Sequence, residues 1–131
     1  MKKGYFVFFL IILFVITIFA GADLINFNGY NQGEDIKIEW QTGKEINLKH
    51  FIIERKTTES NYSEIATIQP KCDNSFYSYL DETAYKQNDF VFIYRLKIEE
   101  NSGTYSYSRA ITVSPVQGVK RTWGSIKAMF R

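Results

Sequence analysis

Among 131 residues there is one cysteine, Cys72, and one histidine, His50. A single cysteine excludes an intramolecular disulfide, so the core alone must hold the fold. Cys72 lies well past the N-terminal apolar run and is not a lipid-attachment cysteine. With no activating neighbour it reads as a tolerated residue. A lone histidine lacks the partners that a catalytic dyad or a histidine-based metal site requires. The chain also lacks a Gly-rich phosphate loop, a nucleophile elbow and a cysteine–histidine cluster. These absences argue against an enzyme and against a resident cofactor or metal.

Long apolar runs are equally scarce, with one exception. Tyr5 to Phe19 is apolar apart from Thr17, follows Lys2 and Lys3, and is closed by Ala20-Gly21-Ala22. This is the layout of a secretory signal peptide over residues 1–22, with Asp23 as the first mature residue. Fifteen apolar residues span about 22 Å as a helix, short of the ~30 Å hydrocarbon core. The alternative is a membrane anchor over residues 4–22, the run extended by Gly4 and Ala20 to Ala22. The chain is therefore expected to be exported, to the periplasm, the cell surface or the medium.

Charge is unevenly spread. The whole chain is +2, and Lys2 and Lys3 account for that excess. Residues 116–131 carry Lys120, Arg121, Lys127 and Arg131 and no acid, which leaves residues 23–115 at −4. A mildly acidic body with a basic tail does not fit a nucleic-acid binder, which carries its basic patch on the fold.

Between residues 23 and 115 the hydrophobic pattern has a period of two. Ile36, Ile38 and Trp40 alternate with Lys37 and Glu39; Phe92, Tyr94, Leu96 and Ile98 alternate with Ile93, Arg95 and Lys97. Phe51 and Ile53 form another set, as do Tyr77 and Tyr79. Tyr62 to Ile68 is a shorter run, and Ile25 with Phe27 suggests a first strand. Tyr105, Tyr107, Ile111 and Val113 share one parity, with Arg109 on it too, so a bulge or an edge position is expected there. Turn signals separate these runs: Asn31-Gln32-Gly33, Thr42-Gly43, Glu59-Ser60-Asn61, Cys72-Asp73-Asn74, Gln87-Asn88-Asp89 and Asn101-Ser102-Gly103. Seven short strands without a helical period indicate an all-β sandwich of about 93 residues.

After Ser114-Pro115 the period changes. Val119, Trp123, Ile126 and Phe130 fall within about 60° of one another on a helix, a narrow apolar stripe. Lys120, Lys127 and Arg131 flank it, Arg121 lies further round, and Thr122 can cap it. This short amphipathic helix is the strongest candidate for a partner-binding element. It can dock in a groove of a partner protein, fold back over a sheet edge or one end of the sandwich, or lie on an anionic membrane.

Several pieces in order resemble the fibronectin type III-like modules of proteins secreted by bacteria that use type IX secretion. They are Trp40-Gln41-Thr42, Glu45-Ile46-Asn47, Phe51-Ile52-Ile53-Glu54-Arg55, Tyr77-Ser78-Tyr79-Leu80-Asp81, Tyr94-Arg95-Leu96-Lys97, Gly103, Tyr107-Ser108, Ile111 and Val113. The resemblance implies a seven-stranded immunoglobulin-like sandwich. Within it Trp40 fills the core, Tyr94 bonds back to backbone near its strand's start, Asp81 ends a strand, and Gly103 supplies a positive-φ turn. Such modules usually precede a C-terminal sorting domain of many tens of residues, whereas residues 116–131 are all that follow the sandwich here.

Other candidates have plainer readings. His50 reads as an exposed structural residue. The acidic pairs Glu34-Asp35, Asp81-Glu82 and Glu99-Glu100 could hold calcium if they met at one pole, but none has the spacing of a calcium loop, so they read as solvated turns. Tyr62, Tyr85 and Tyr105 suit a sugar- or protein-binding face, with core and edge packing as the alternative. The chain is thus expected to be a non-enzymatic interaction module that binds a protein or an envelope surface through Val119, Lys120, Arg121, Trp123, Ile126, Lys127, Phe130 and Arg131. The alternative is a structural protein of the envelope, anchored by its N-terminal segment.

Overall fold

Alternating apolar residues can be buried only if two sheets face each other, and that is how the chain folds. The computed structural model describes residues 21–84 and 91–114. The N-terminal run up to Ala20, Tyr85, the expected turn Gln87-Asn88-Asp89 and the tail residues Val119, Lys120, Arg121, Trp123, Ile126, Lys127, Phe130 and Arg131 lie outside the described residues. Among the described residues there is no α-helix, and none long and apolar enough to cross a membrane.

Eight strands form two antiparallel sheets. They are β1 (Gly21–Gln32), β2 (Asp35–Ile46), β3 (Leu48–Lys56), β4 (Ser63–Ile68), β5 (Phe76–Asp81), β6 (Phe92–Glu100), β7 (Tyr105–Tyr107) and β8 (Ile111–Val113). The first sheet runs β1-β2-β5. The second runs β4-β3-β6, and β6 pairs along its other edge with both β7 and β8. Phe27, Ile36, Ile38, Trp40 and Tyr77 from one sheet meet Phe51, Ile53, Phe92, Tyr94, Leu96 and Ile98 from the other in a single apolar core. Trp40 is wholly buried at its centre, stacked on Tyr77 at 5.0 Å and edge-on to Phe51 at 5.7 Å. Its indole Nε1 has no hydrogen-bond partner among the described residues.

Two register slips set the faces, and one of them is the bulge expected at Arg109. The last expected strand is two strands, so the count is eight and not seven. β7 pairs Tyr107 with Lys97, and β8 pairs Ile111 with Tyr94, a register slipped by one residue across Ser108 to Ala110. One extra residue reverses the faces. Tyr105 and Tyr107 therefore point to solvent, whereas Val113 is buried. β1 behaves alike: register shifts on either side of Leu24 turn Ile25 outward and Phe27 inward. Thr42-Gly43 is not a turn. Both residues lie inside β2, because the Thr42 backbone N–H donates to Ser75 O (3.0 Å) and Gly43 O accepts from the Asn74 N–H (2.6 Å), so pairing continues there. The single residue between β2 and β3 is Asn47, whose φ of 56° makes the tight switch from one sheet to the other. Gly103 has φ 88° in the turn between β6 and β7, as the resemblance implied.

The two ends of the sandwich are distinct. One pole holds Gly21, Ile46, Asn47 and Glu100; the other holds the β1–β2 turn, Lys56, Asp81, Phe92 and Ser114. At the second pole the Asn31 side chain donates to the Ser114 carbonyl at 2.6 Å. β8 packs across β1 at Gly29, where an added Cβ would lie 2.9 Å from both Ile111 and Val113 side-chain atoms, so only glycine fits.

Candidate binding surface and buried polar clusters

Polar side chains gather in three places. The first is inside. Arg55 shares the parity of Phe51 and Ile53 and so enters the core end, where its Nη1 donates to Asp81 Oδ2 at 2.5 Å and to Thr83 Oγ1 at 2.9 Å. The Tyr94 hydroxyl donates to the same Oδ2 at 2.8 Å, and the Thr83 N–H and hydroxyl donate to Oδ1 at 3.1 and 2.7 Å. The Asp81 side chain is 1% exposed and that of Arg55 9%. Burial alone would raise the Asp81 carboxyl. The bonds from Thr83, Arg55 and Tyr94 outweigh it and hold the carboxyl below the ordinary aspartate range. Burial and the facing Asp81 charge push the Tyr94 hydroxyl far up. Tyr94 therefore bonds a buried carboxylate, not the backbone that the resemblance implied. Asp81 does end a strand, but it is also the acceptor that ties β3, β5 and β6 together.

The second cluster closes the opposite pole. Tyr77 and Thr42 both donate to Glu45 Oε1 at 2.6 Å, the Cys72 N–H donates to Glu45 Oε2 at 3.2 Å, and the Glu45 N–H donates to Asp73 at 2.6 Å. Burial first, and the bond to Glu45 next, push the Tyr77 hydroxyl up to about 12. The Cys72-Asp73-Asn74 turn is thus held by Glu45, and Cys72 is exposed and free.

The third lies on the outer face of the β4-β3-β6-β7 sheet and is the candidate site. The Arg95 guanidinium sits 3.8 Å from the ring centres of both Tyr62 and Tyr107, and its Nε donates to Glu54 Oε2 at 2.5 Å. Lys97 Nζ lies 4.9 Å from the Tyr105 ring, and Lys56 Nζ 4.9 Å from that of Tyr62. Tyr105 and Tyr107 meet edge to face at 5.5 Å and are 57% and 44% exposed. Glu54 and Ile52, although on the outer face, are buried beneath these side chains. Lys97 also reaches Glu64 at 3.6 Å. Tyr62 and Tyr105, named from the sequence, are brought to this face. Arg95, Lys97 and Tyr107 were not named, yet the alternation of β6 carried the signal, since Arg95 and Lys97 interleave its core residues.

The remaining candidates separate. His50 is half-buried, not exposed: its Nε2 lies 2.9 Å from Glu99 Oε2, because β3 pairs it directly across from Glu99. Lys49 Nζ adds a second donor at 3.1 Å, and these bonds, with Lys49 first and His50 second, lower the Glu99 carboxyl. The acidic pairs do not meet at one pole. Asp35 and Asp81 lie at the second pole and Glu99 at the first, and among the described residues no three potential metal ligands converge.

No protein-family model and no curated protein matches the chain. Among solved structures, the pectate lyase PelI of Erwinia chrysanthemi, in complex with tetragalacturonic acid, is similar over 71% of this chain and 28% of its own, at 15% identity and a TM-score of 0.52. The beta-1,2-glucanase of Parabacteroides distasonis is similar over 75% of this chain and 13% of its own, at 16% identity and a TM-score of 0.48. The chain thus spans a little over a quarter of the lyase, and that likeness defines the fold alone: a β-sandwich of two antiparallel sheets.

Proposed function

We propose that the chain is an exported, non-enzymatic interaction module on a fibronectin type III-like sandwich, and that it docks through residues 116–131. The fold part draws on the strand plan. β7 and β8 occupy one rank, so the sheets have three and four ranks, in keeping with a seven-stranded sandwich. The binding part draws on how the ionisable groups are used: the buried Asp81 cluster and the half-buried Glu45 cluster are spent on joining strands. One observation carries the reading. Gly21 enters at one pole, and Ser114 sits beside Asn31 at the other. Ten residues of strand separate them, about 34 Å at ~3.4 Å per residue. The described sandwich therefore begins at one pole and ends at the other.

Affinity capture from the native host, with the full chain and with a chain lacking residues 116–131, tests this. A partner retained by the full chain and lost with the truncation or with Trp123→Ala supports the reading; equal retention by all three overturns it.

The alternative, anchorage by residues 4–22, has its own support. β1 begins at Gly21, where Gly21 pairs with Ile46 and Ala22 with Glu45. Cleavage after Ala22 would remove both pairs. Intact-mass measurement of the exported protein decides between them: a chain beginning at Asp23 supports the secreted module, and retention of Met1 supports the anchor.

A further inference from the structure

A surface distinct from the tail also invites a partner. Arg95 is held in one plane by the rings of Tyr62 and Tyr107 on its two faces, and Glu54 takes its Nε from below. Its Nη1 and Nη2 have no acceptor among the described residues, and with both faces covered they are reached only along the edge. That edge is the fork which receives a carboxylate through two parallel bonds. Holding the guanidinium in place beforehand lowers the entropy lost on binding.

The neighbouring cations are regularly spaced. Lys97 lies two residues beyond Arg95 on β6, about 6.8 Å along the strand. Lys56 is paired across from Ile93, so it lies the same step before Arg95 and one strand to the side. Among the described residues Lys56 has no carboxylate within 4.0 Å, while the Lys97 partner Glu64 is displaced to 3.6 Å and its side chain is 58% exposed. The row ends at Glu99, which Lys49 and His50 already occupy. An extended polypeptide presents alternate side chains on one side with this same ~6.8 Å repeat. We infer that Lys56, Arg95 and Lys97, with Tyr62, Tyr105 and Tyr107 between and beside them, form a docking surface for an extended acidic peptide that carries carboxylates at alternate positions. The aromatic rings cover its backbone, and the cations take its carboxylates.

The test is fluorescence anisotropy of the full-length chain with a labelled peptide of alternating Glu and Ser. Three controls accompany it: a block peptide of the same composition, a Lys–Ser peptide and an oligogalacturonate. The alternating peptide is expected to bind at least about tenfold more tightly than the block peptide, and to weaken as salt is raised. Arg95→Gln is expected to reduce affinity at least about tenfold, as an anchoring arginine does. Lys97→Gln, at a half-buried position on the outer face that the core does not include, is expected to reduce it about threefold by loss of one screened ion pair. A chain lacking residues 116–131 should bind this peptide as the full chain does, which separates the surface from the tail. Equal binding of alternating and block peptides, preference for the oligogalacturonate, or an unchanged affinity in Lys97→Gln would each overturn the inference.

Discussion

Arg55 and Arg95 stand on neighbouring strands, and each bonds a carboxylate at 2.5 Å: Arg55 takes Asp81 and Arg95 takes Glu54. Each also lies against aromatic rings, Phe92 for Arg55 at 5.2 Å and Tyr62 with Tyr107 for Arg95. They differ in strand parity. Arg55 falls on the inward face with Phe51 and Ile53, and its Nη1 bonds Asp81 at the end of β5 and Thr83 just beyond it. Arg95 falls on the outward face of β6, with its side chain 25% exposed and its fork open. The same chemistry is therefore a structural bolt on one face of the second sheet and a presented group on the other. Burial decides how much each ion pair matters to folding, since solvent screens only the outer one.

The sharpest way to break this contrast is Asp81→Ala. It strands the Arg55 charge and the Tyr94 hydroxyl in the core and should cost about 3–5 kcal/mol. Chemical denaturation reads that loss directly. A chain of this size has roughly 5–15 kcal/mol to lose, so the variant should be near unfolding at growth temperature. Trp40→Ala should cost a similar 3–5 kcal/mol through the cavity it leaves beneath Tyr77 and Phe51. A wild-type-like melting curve for that variant would contradict the core described above.

Titration tests the Asp81 and Tyr77 clusters without mutation. The Asp81 carboxyl is depressed in the folded state, so its contribution is fully present above the unfolded aspartate value of about 3.9 and is lost as pH falls through the folded value. The Tyr77 hydroxyl is raised, to about 12, so its contribution is fully present below about pH 10 and is lost as pH rises through 12. Stability measured across pH should fall at both ends, and tyrosinate absorbance should rise together with alkaline unfolding. A smaller effect is expected outside: Arg95→Gln should cost about 1–2 kcal/mol of stability, because Glu54, although 8% exposed, keeps a hydrogen-bond donor in the glutamine and the Arg95 side of the pair is solvated. A loss equal to that of Asp81→Ala would erase the distinction between the two arginines.

Much of the sandwich was legible because period-two runs such as Phe92 to Ile98 leave little choice of face. Trp40 and Tyr94 were placed correctly in the core on that ground. What alternation cannot reveal is a slip of one residue. The Arg109 charge on an apolar parity pointed to the slip between Tyr107 and Ile111, whereas Ile25 and Phe27 have the same spacing with or without a bulge, so no residue marked the shift in β1. The buried Arg55–Asp81 pair was hidden by residue type: both residues lie on core parities, but charge argues against burial until a partner from a distant strand is known. His50 was misjudged for the same reason, since Glu99 lies 49 positions away. The tyrosine stripe was half visible. Tyr62 and Tyr105 were named from composition, but Arg95, which holds Tyr62 and Tyr107 together, becomes evident only once β4, β6 and β7 are side by side.

We propose that the sandwich folds on its own core and that residues 116–131 dock. Thermal melting of the full chain and of a chain lacking residues 117–131 tests it most directly. The described core runs from Phe27 to Val113, and on the proposed reading the midpoint should move by less than about 4 °C, equivalent to under about 1 kcal/mol. A fall of many degrees, or loss of the cooperative transition, would mean that Trp123 and Phe130 belong to the packing of the sandwich, and the tail would then not be its docking element.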